Sequence, residues 1–114
     1  MPGFGAKSVE SPQRKMQVIT LKKSGLGTPV LSGSCASFCT VTDNGVGDYT
    51  INLSKIPLAQ VPEVFVTQNT AARIGRVSSA TALAVRVLTT DLAGTAAESD
   101  FHVMIVGSLA KDLV

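Results

Sequence analysis

Apolar and polar residues alternate with a period of two through most of the chain, a pattern that predicts strands rather than helices. The cleanest example is 49–54, where Tyr49, Ile51 and Leu53 point one way and Thr50 and Asn52 the other. Residues 35–42 are expected to form a strand that precedes it. Asp43-Asn44-Gly45-Val46-Gly47-Asp48 joins the two as a hairpin turn, because Asn and Gly tolerate positive φ and the two Asp residues cap the reversal. Residues 15–22 alternate Met16, Val18 and Thr20 against Gln17, Ile19 and Leu21, a strand with both faces at least partly covered. Gly25, Gly27, Pro29 and Gly33 mark 24–34 as a loop, with at most a short edge strand at Val30 and Leu31. Segments 63–68 and 82–90 are further strands, the second with Leu83, Val85 and Val87 inside and Arg86 outside. Segment 69–81 suits one helical turn or a short strand over 73–77, and Gly75 with its Ser/Thr neighbours favours the strand. The last strand, 101–107, sets Phe101, Val103 and Ile105 against His102, Met104 and Val106.

About seven strands at hairpin spacing, with no persuasive helix, imply an all-β fold: an antiparallel β-sandwich or a jelly-roll-like barrel. The expected organisation is an extended N-terminal arm over 1–14, a β-sandwich domain over 15–107 and a C-terminal tail over 108–114. The loop at 91–100 is expected to be exposed, and Phe38, Phe65 and Phe101 to lie in the core. At 114 residues the chain suffices for one domain. In the last strand both faces are apolar apart from His102. One face fills the sandwich, and the other requires cover from a loop, the arm or another subunit. Only 16% of residues are charged, so few charges guard the sheet edges, and assembly into a homo-oligomer, dimer or trimer, removes that liability.

The net charge of +2 is unevenly spread. Residues 1–25 carry Lys7, Arg14, Lys15, Lys22 and Lys23 against Glu10 alone, whereas the rest has five basic and seven acidic side chains. A basic arm on a mildly acidic body suits docking on a neighbour, with Phe4 as an apolar anchor. Phe4, Lys7, Arg14 and Lys15, together with Arg73 and Arg76 beside Gly75, are the candidate partner-binding residues. Cys35 and Cys39 would stand about 13 Å apart on one strand, beyond the roughly 7 Å that a disulfide spans, so two buried thiols are expected unless a bulge or turn lies between them. No secretory leader or long apolar span is visible, and synthesis in a reducing cytoplasm is expected.

The sequence offers little for catalysis. The Gly-x-Gly pairs at 25–27 and 45–47 precede no helix and lack the Lys-Ser/Thr of a phosphate loop. His102 is the only histidine and, on an apolar-rich strand, reads as a packed, hydrogen-bonded side chain. Asp100, two residues before it, closes no triad. Two cysteines and one histidine do not make a zinc site, and the acidic residues sit at turns and strand ends. No catalytic residue, cofactor, metal, specific nucleic acid, membrane or small-molecule substrate is expected.

The stretch Thr40-Val41-Thr42-Asp43-Asn44-Gly45-Val46-Gly47-Asp48-Tyr49-Thr50-Ile51-Asn52-Leu53 resembles a strand–turn–strand that recurs in β-rich structural proteins of tailed bacteriophages, both fibre-type and capsid-decorating. Val61 to Thr67 resembles the next strand of such modules, and Ser99 to Gly107 their closing strand. The resemblance covers roughly 35–107. It implies a non-enzymatic virion protein that decorates and stabilises a capsid by bridging major capsid protein subunits, at the capsid surface. The alternative it implies is a tail-fibre or tail-associated module that binds a host receptor through 69–80 or 91–100. The chain has no repeats or fibrous stalk, which favours the capsid reading.

Overall fold

The computed structural model describes residues 16–25 and 29–110. They form eight strands: β1 (Met16–Ser24), β2 (Val30–Gly33), β3 (Thr40–Gly45), β4 (Asp48–Asn52), β5 (Glu63–Gln68), β6 (Ile74–Ala80), β7 (Ala84–Thr90) and β8 (Phe101–Ser108). Two four-stranded antiparallel sheets pack together as an open sandwich, not a closed barrel. Sheet I has the order β2-β1-β8-β5 and sheet II the order β3-β4-β7-β6. The expected arm at 1–14 and the last four residues of the expected tail lie outside the described residues. The start of that tail is core: Leu109 is buried and bridges Leu58.

The period of two decides what goes inside. Ile19 and Leu21 of β1, Phe101, Val103 and Ile105 of β8, Tyr49 and Ile51 of β4, and Val85 and Val87 of β7 fill the space between the sheets. Leu53, Ile56 and Leu109 close the lower end. Each such side chain contributes about 1.5–3 kcal/mol on leaving water. At the hairpin, Gly47 (φ +68°) lets the β3–β4 turn lie against β7, where a Cβ would stand 2.4 Å from the Thr89 carbonyl oxygen.

Several expectations change. Residues 35–39 do not extend the strand; Ala36–Phe38 is a single 3-10 turn, entered through Cys35 at φ +60°. A turn between the cysteines is therefore present, yet both thiols are free, and of the two expected to be buried only Cys39 is, Cys35 being half-buried. Burial, with Cys35 nearby, pushes the Cys39 thiol up to about 11. Within 69–81, Ile74–Ala80 form a strand, longer than the expected 73–77, with a bulge between Val77 and Ser79. Leu83 is 64% exposed because β7 starts only at Ala84, so the alternation does not reach it. Phe65 is 54% exposed: it pairs with Met104, whose side chain faces away from the core, and so shares the outer face.

The same alternation carries Lys23 inside, on the parity of Ile19 and Leu21. Its ammonium, 1% exposed as a residue, donates to the Ser99 carbonyl at 2.8 Å and lies 3.7 Å from Asp100 Oδ1. It also sits 4.1 Å from the Tyr49 ring centroid and 5.8 Å from that of Phe101. Ring faces and a carbonyl replace the lost hydration, a cation–π contact contributing about 2 kcal/mol when desolvated. Tyr49 Oη donates to Glu98 Oε1, and Arg73 Nε donates to the Glu98 carbonyl at 2.8 Å. These bonds tie the 91–100 loop, expected to be exposed, onto the upper end of the sandwich, and Ser99 within it is fully buried.

Replacing Lys23 with Met leaves the Ser99 carbonyl and Asp100 Oδ1 without their cation. The expected loss is about 2–3 kcal/mol, below the figure for fully buried pairs because Asp100 is partly exposed; urea denaturation measures it. Tyr49 offers a second measurement. Burial and its bond to Glu98 hold its hydroxyl above the ordinary value of 10.0. Its contribution to stability is complete below pH 10 and is lost as pH rises further. It is the only tyrosine, so alkaline titration of tyrosinate absorbance reads this group alone. Ionisation is expected above pH 10, together with unfolding; half-ionisation at the ordinary value in a folded protein contradicts the arrangement.

Candidate interaction surface

The outer faces of the two sheets differ in kind. On sheet II, Asn52 Nδ2 donates to Thr40 Oγ1 at 3.0 Å and Thr42 Oγ1 at 3.1 Å, and Asn44 Nδ2 donates to Thr50 Oγ1 at 2.7 Å. Arg86 grips Asp48 with two bonds, Nε to Oδ1 at 2.9 Å and Nη2 to Oδ2 at 2.5 Å. Chiefly through this bond, the Arg86 guanidinium holds the Asp48 carboxyl below its ordinary value. Asp43 caps the turn as expected, accepting from the Gly45 amide at 3.0 Å. This face is mostly polar, with Ile74 exposed at its β6 edge, and much of its hydrogen-bonding capacity is met within the chain.

Sheet I presents the opposite. Register aligns its outward residues in rows across β1, β8 and β5: Lys22–His102–Thr67, then Thr20–Met104–Phe65, then Val18–Val106–Glu63, with Met16 beyond. Met16 (63%), Val18 (51%), Phe65 (54%) and Met104 (39%) are exposed. An open depression of about 390 Å³ lies over the first two rows. Lys22, His102, Thr20 and Thr67 supply polar groups at its rim, and Phe65 and Met104 an apolar wall. Among the described residues no carboxylate lines it. The face of β8 that required cover is this one, and on it His102 and Met104 are exposed.

The remaining candidates are dispersed. Phe4, Lys7, Arg14 and Lys15 lie outside the described residues. Arg73 is committed to the Glu98 carbonyl, while Arg76 stands exposed on β6, beside Leu88 of β7. His102 is exposed, not packed, because its parity is that of the outer face. Its Nε2 lies 3.1 Å from Asn69 Nδ2, and Asp100 turns inward toward Lys23. Gln68 Oε1 lies 2.5 Å from the buried Ser99 hydroxyl. Its Nε2 occupies space that Gly75 leaves open, since a Cβ there would meet it at 1.8 Å. Among the described residues no three His, Cys, Asp or Glu side chains gather as a metal site, and no helix is long and apolar enough to cross a membrane.

Reasoning from sequence missed Lys23, Glu98 and the role of Phe65. For Lys23 and Phe65 the signal was present as strand parity. No family model, curated protein or solved structure matches the chain.

Phe65 contributes to the surface rather than to the core, so Phe65→Thr is expected to change stability by about 1 kcal/mol or less. Phe101→Ala is expected to cost about 3–5 kcal/mol. Urea titrations of both variants at low protein concentration compare the two.

Proposed function

We propose that this protein is a non-enzymatic structural component of a bacteriophage particle, which decorates the capsid and stabilises it by bridging neighbouring subunits. The observation that carries a role in assembly is the contrast between the sheet faces. One is mostly polar and internally bonded, with Ile74 exposed at one edge, while the other exposes Met16, Val18, Phe65 and Met104 in adjoining rows. Burying such a face against protein recovers free energy that contact with water withholds, about 1.5–3 kcal/mol for each large side chain fully covered. The phage assignment is supported by the resemblance of 40–53, 61–67 and 99–107 to phage structural modules.

In this reading the sandwich is a rigid body, and the basic arm with Phe4, Lys7, Arg14 and Lys15 engages the shell. Contacts that each bury on the order of 1,000 Å² suffice when many symmetric copies act together. Quantitative mass spectrometry of purified particles tests the assignment. A capsid decoration protein is expected on the order of hundreds of copies per particle, released when the shell is disrupted. A handful of copies fractionating with tails assigns the chain to the adhesion apparatus instead, and absence from particles ends the virion reading.

A further inference from the structure

The outer face of sheet I sets charge and apolar surface at a fixed spacing. One row runs Ser32–Lys22–His102–Thr67 across β2, β1, β8 and β5, and the next places Met104 beside Phe65. Successive outward positions of a strand stand about 7 Å apart, so that distance separates the Lys22 row from the apolar one. The depression of about 390 Å³ covers both. Val30, exposed on β2, lies a row beyond and does not line it. We infer that the depression seats an extended segment of a partner protein that carries a carboxylate and a large apolar side chain two residues apart. This rests on the reading of sheet I as a shell-binding surface and names the chemistry of the shell segment it grips.

Charge selects the carboxylate. The ion pairs among the described residues join Lys23 to Asp100 and Arg86 to Asp48, so none of the described acids answers Lys22. Asp100, two residues before His102, is held by Lys23, and its Oδ1 is buried. Glu63 stands two rows from Thr67, about 14 Å along β5. His102 adds a donor. Asn69 Nδ2 can only donate to its Nε2, at 3.1 Å, which leaves the ring proton on Nδ1. A carboxylate over this row comes within reach of an ammonium, an imidazole N–H and the Thr67 hydroxyl, while Phe65 and Met104 receive the apolar group. Extended backbone has the same period as the face: side chains i and i+2 project to one side, about 7 Å apart. A segment lying along β8 therefore sets both groups down together, which a compact anion such as phosphate cannot do. The depression is of the size that holds a few side chains rather than a folded domain.

Two-dimensional NMR of the full chain tests this, by titration with capped polythreonine peptides in which one glutamate and one leucine stand two residues apart. Saturable shifts are expected at Lys22, His102, Phe65 and Met104, with dissociation in the millimolar range because only two side chains are seated. Replacing the glutamate with lysine, or moving the leucine next to the glutamate, is expected to weaken binding about fivefold or more. Lys22→Glu should exchange the preference, so that the lysine peptide binds the tighter of the two. Phe65→Thr should weaken the glutamate peptide about threefold and keep its advantage over the lysine peptide, since it removes the apolar wall alone. Circular dichroism checks that each variant is folded. No saturable shift at about 20 mM peptide overturns the inference, as does equal affinity for the glutamate and lysine peptides, or inorganic phosphate bound as tightly as the peptide. Copy number on particles separates this from the parent reading. Wild type present on the order of hundreds of copies, with no peptide binding, keeps the capsid role and removes the proposed segment. Peptide binding with the glutamate preference, and no copies on particles, keeps the site and ends the virion reading.

Discussion

The upper end of the sandwich is organised around one buried ammonium. Because β1 alternates strictly, a strand that puts Ile19 and Leu21 inside also puts Lys23 inside, and the fold must supply what water no longer can. It does so with the Tyr49 ring face, the Ser99 carbonyl and the Asp100 carboxylate. The consequences spread from there. Tyr49 is held with its hydroxyl toward Glu98, Arg73 fastens the backbone at the same residue, and Thr70 Oγ1 accepts from the Asp100 amide. A long connection between the sheets thereby becomes part of the packed body, and β8 enters sheet I in one register.

That register sets the character of the outer surface. Fixing Phe101, Val103 and Ile105 inward fixes His102 and Met104 outward, and pairing with β5 then commits Phe65 to the same side. Two sheets back to back cover only their inner faces. Sheet II answers this chiefly with threonine, asparagine and one Asp–Arg pair, leaving Ile74 exposed at its edge, whereas sheet I keeps apolar residues at the centre of its face. The proposed role draws on that difference and on the resemblance of 40–53 to phage structural modules.

Much of the strand pattern was legible in the sequence because half-buried antiparallel strands write their environment with a period of two. The 49–54, 63–68 and 101–107 segments read correctly for that reason. Where reading failed, a long-range fact had intervened. Phe65 looks like core until its pairing with Met104 is known. Lys23 looks like a surface charge until its parity with Leu21 is weighed against its type. The 3-10 turn at Ala36–Phe38 has no hydrophobic periodicity to announce it, and its entry through Cys35 in a left-handed conformation carries no glycine signal. Glu98 is a loop acid like any other in sequence, and only the closing of the loop over Tyr49 distinguishes it.

The pairing of β1 with β8 has a mechanical consequence. Met16 lies opposite Ser108, so the first and last strands begin and end beside each other at the lower end of the body. A pull applied between these two points meets the β1–β8 ladder one rung at a time, as a zip is opened, and encounters little resistance. Load transmitted through the faces or edges of the sheets instead strains the whole ladder in parallel. Drawn apart at the start of β1 and the end of β8, the ladder parts in sequence rather than all at once.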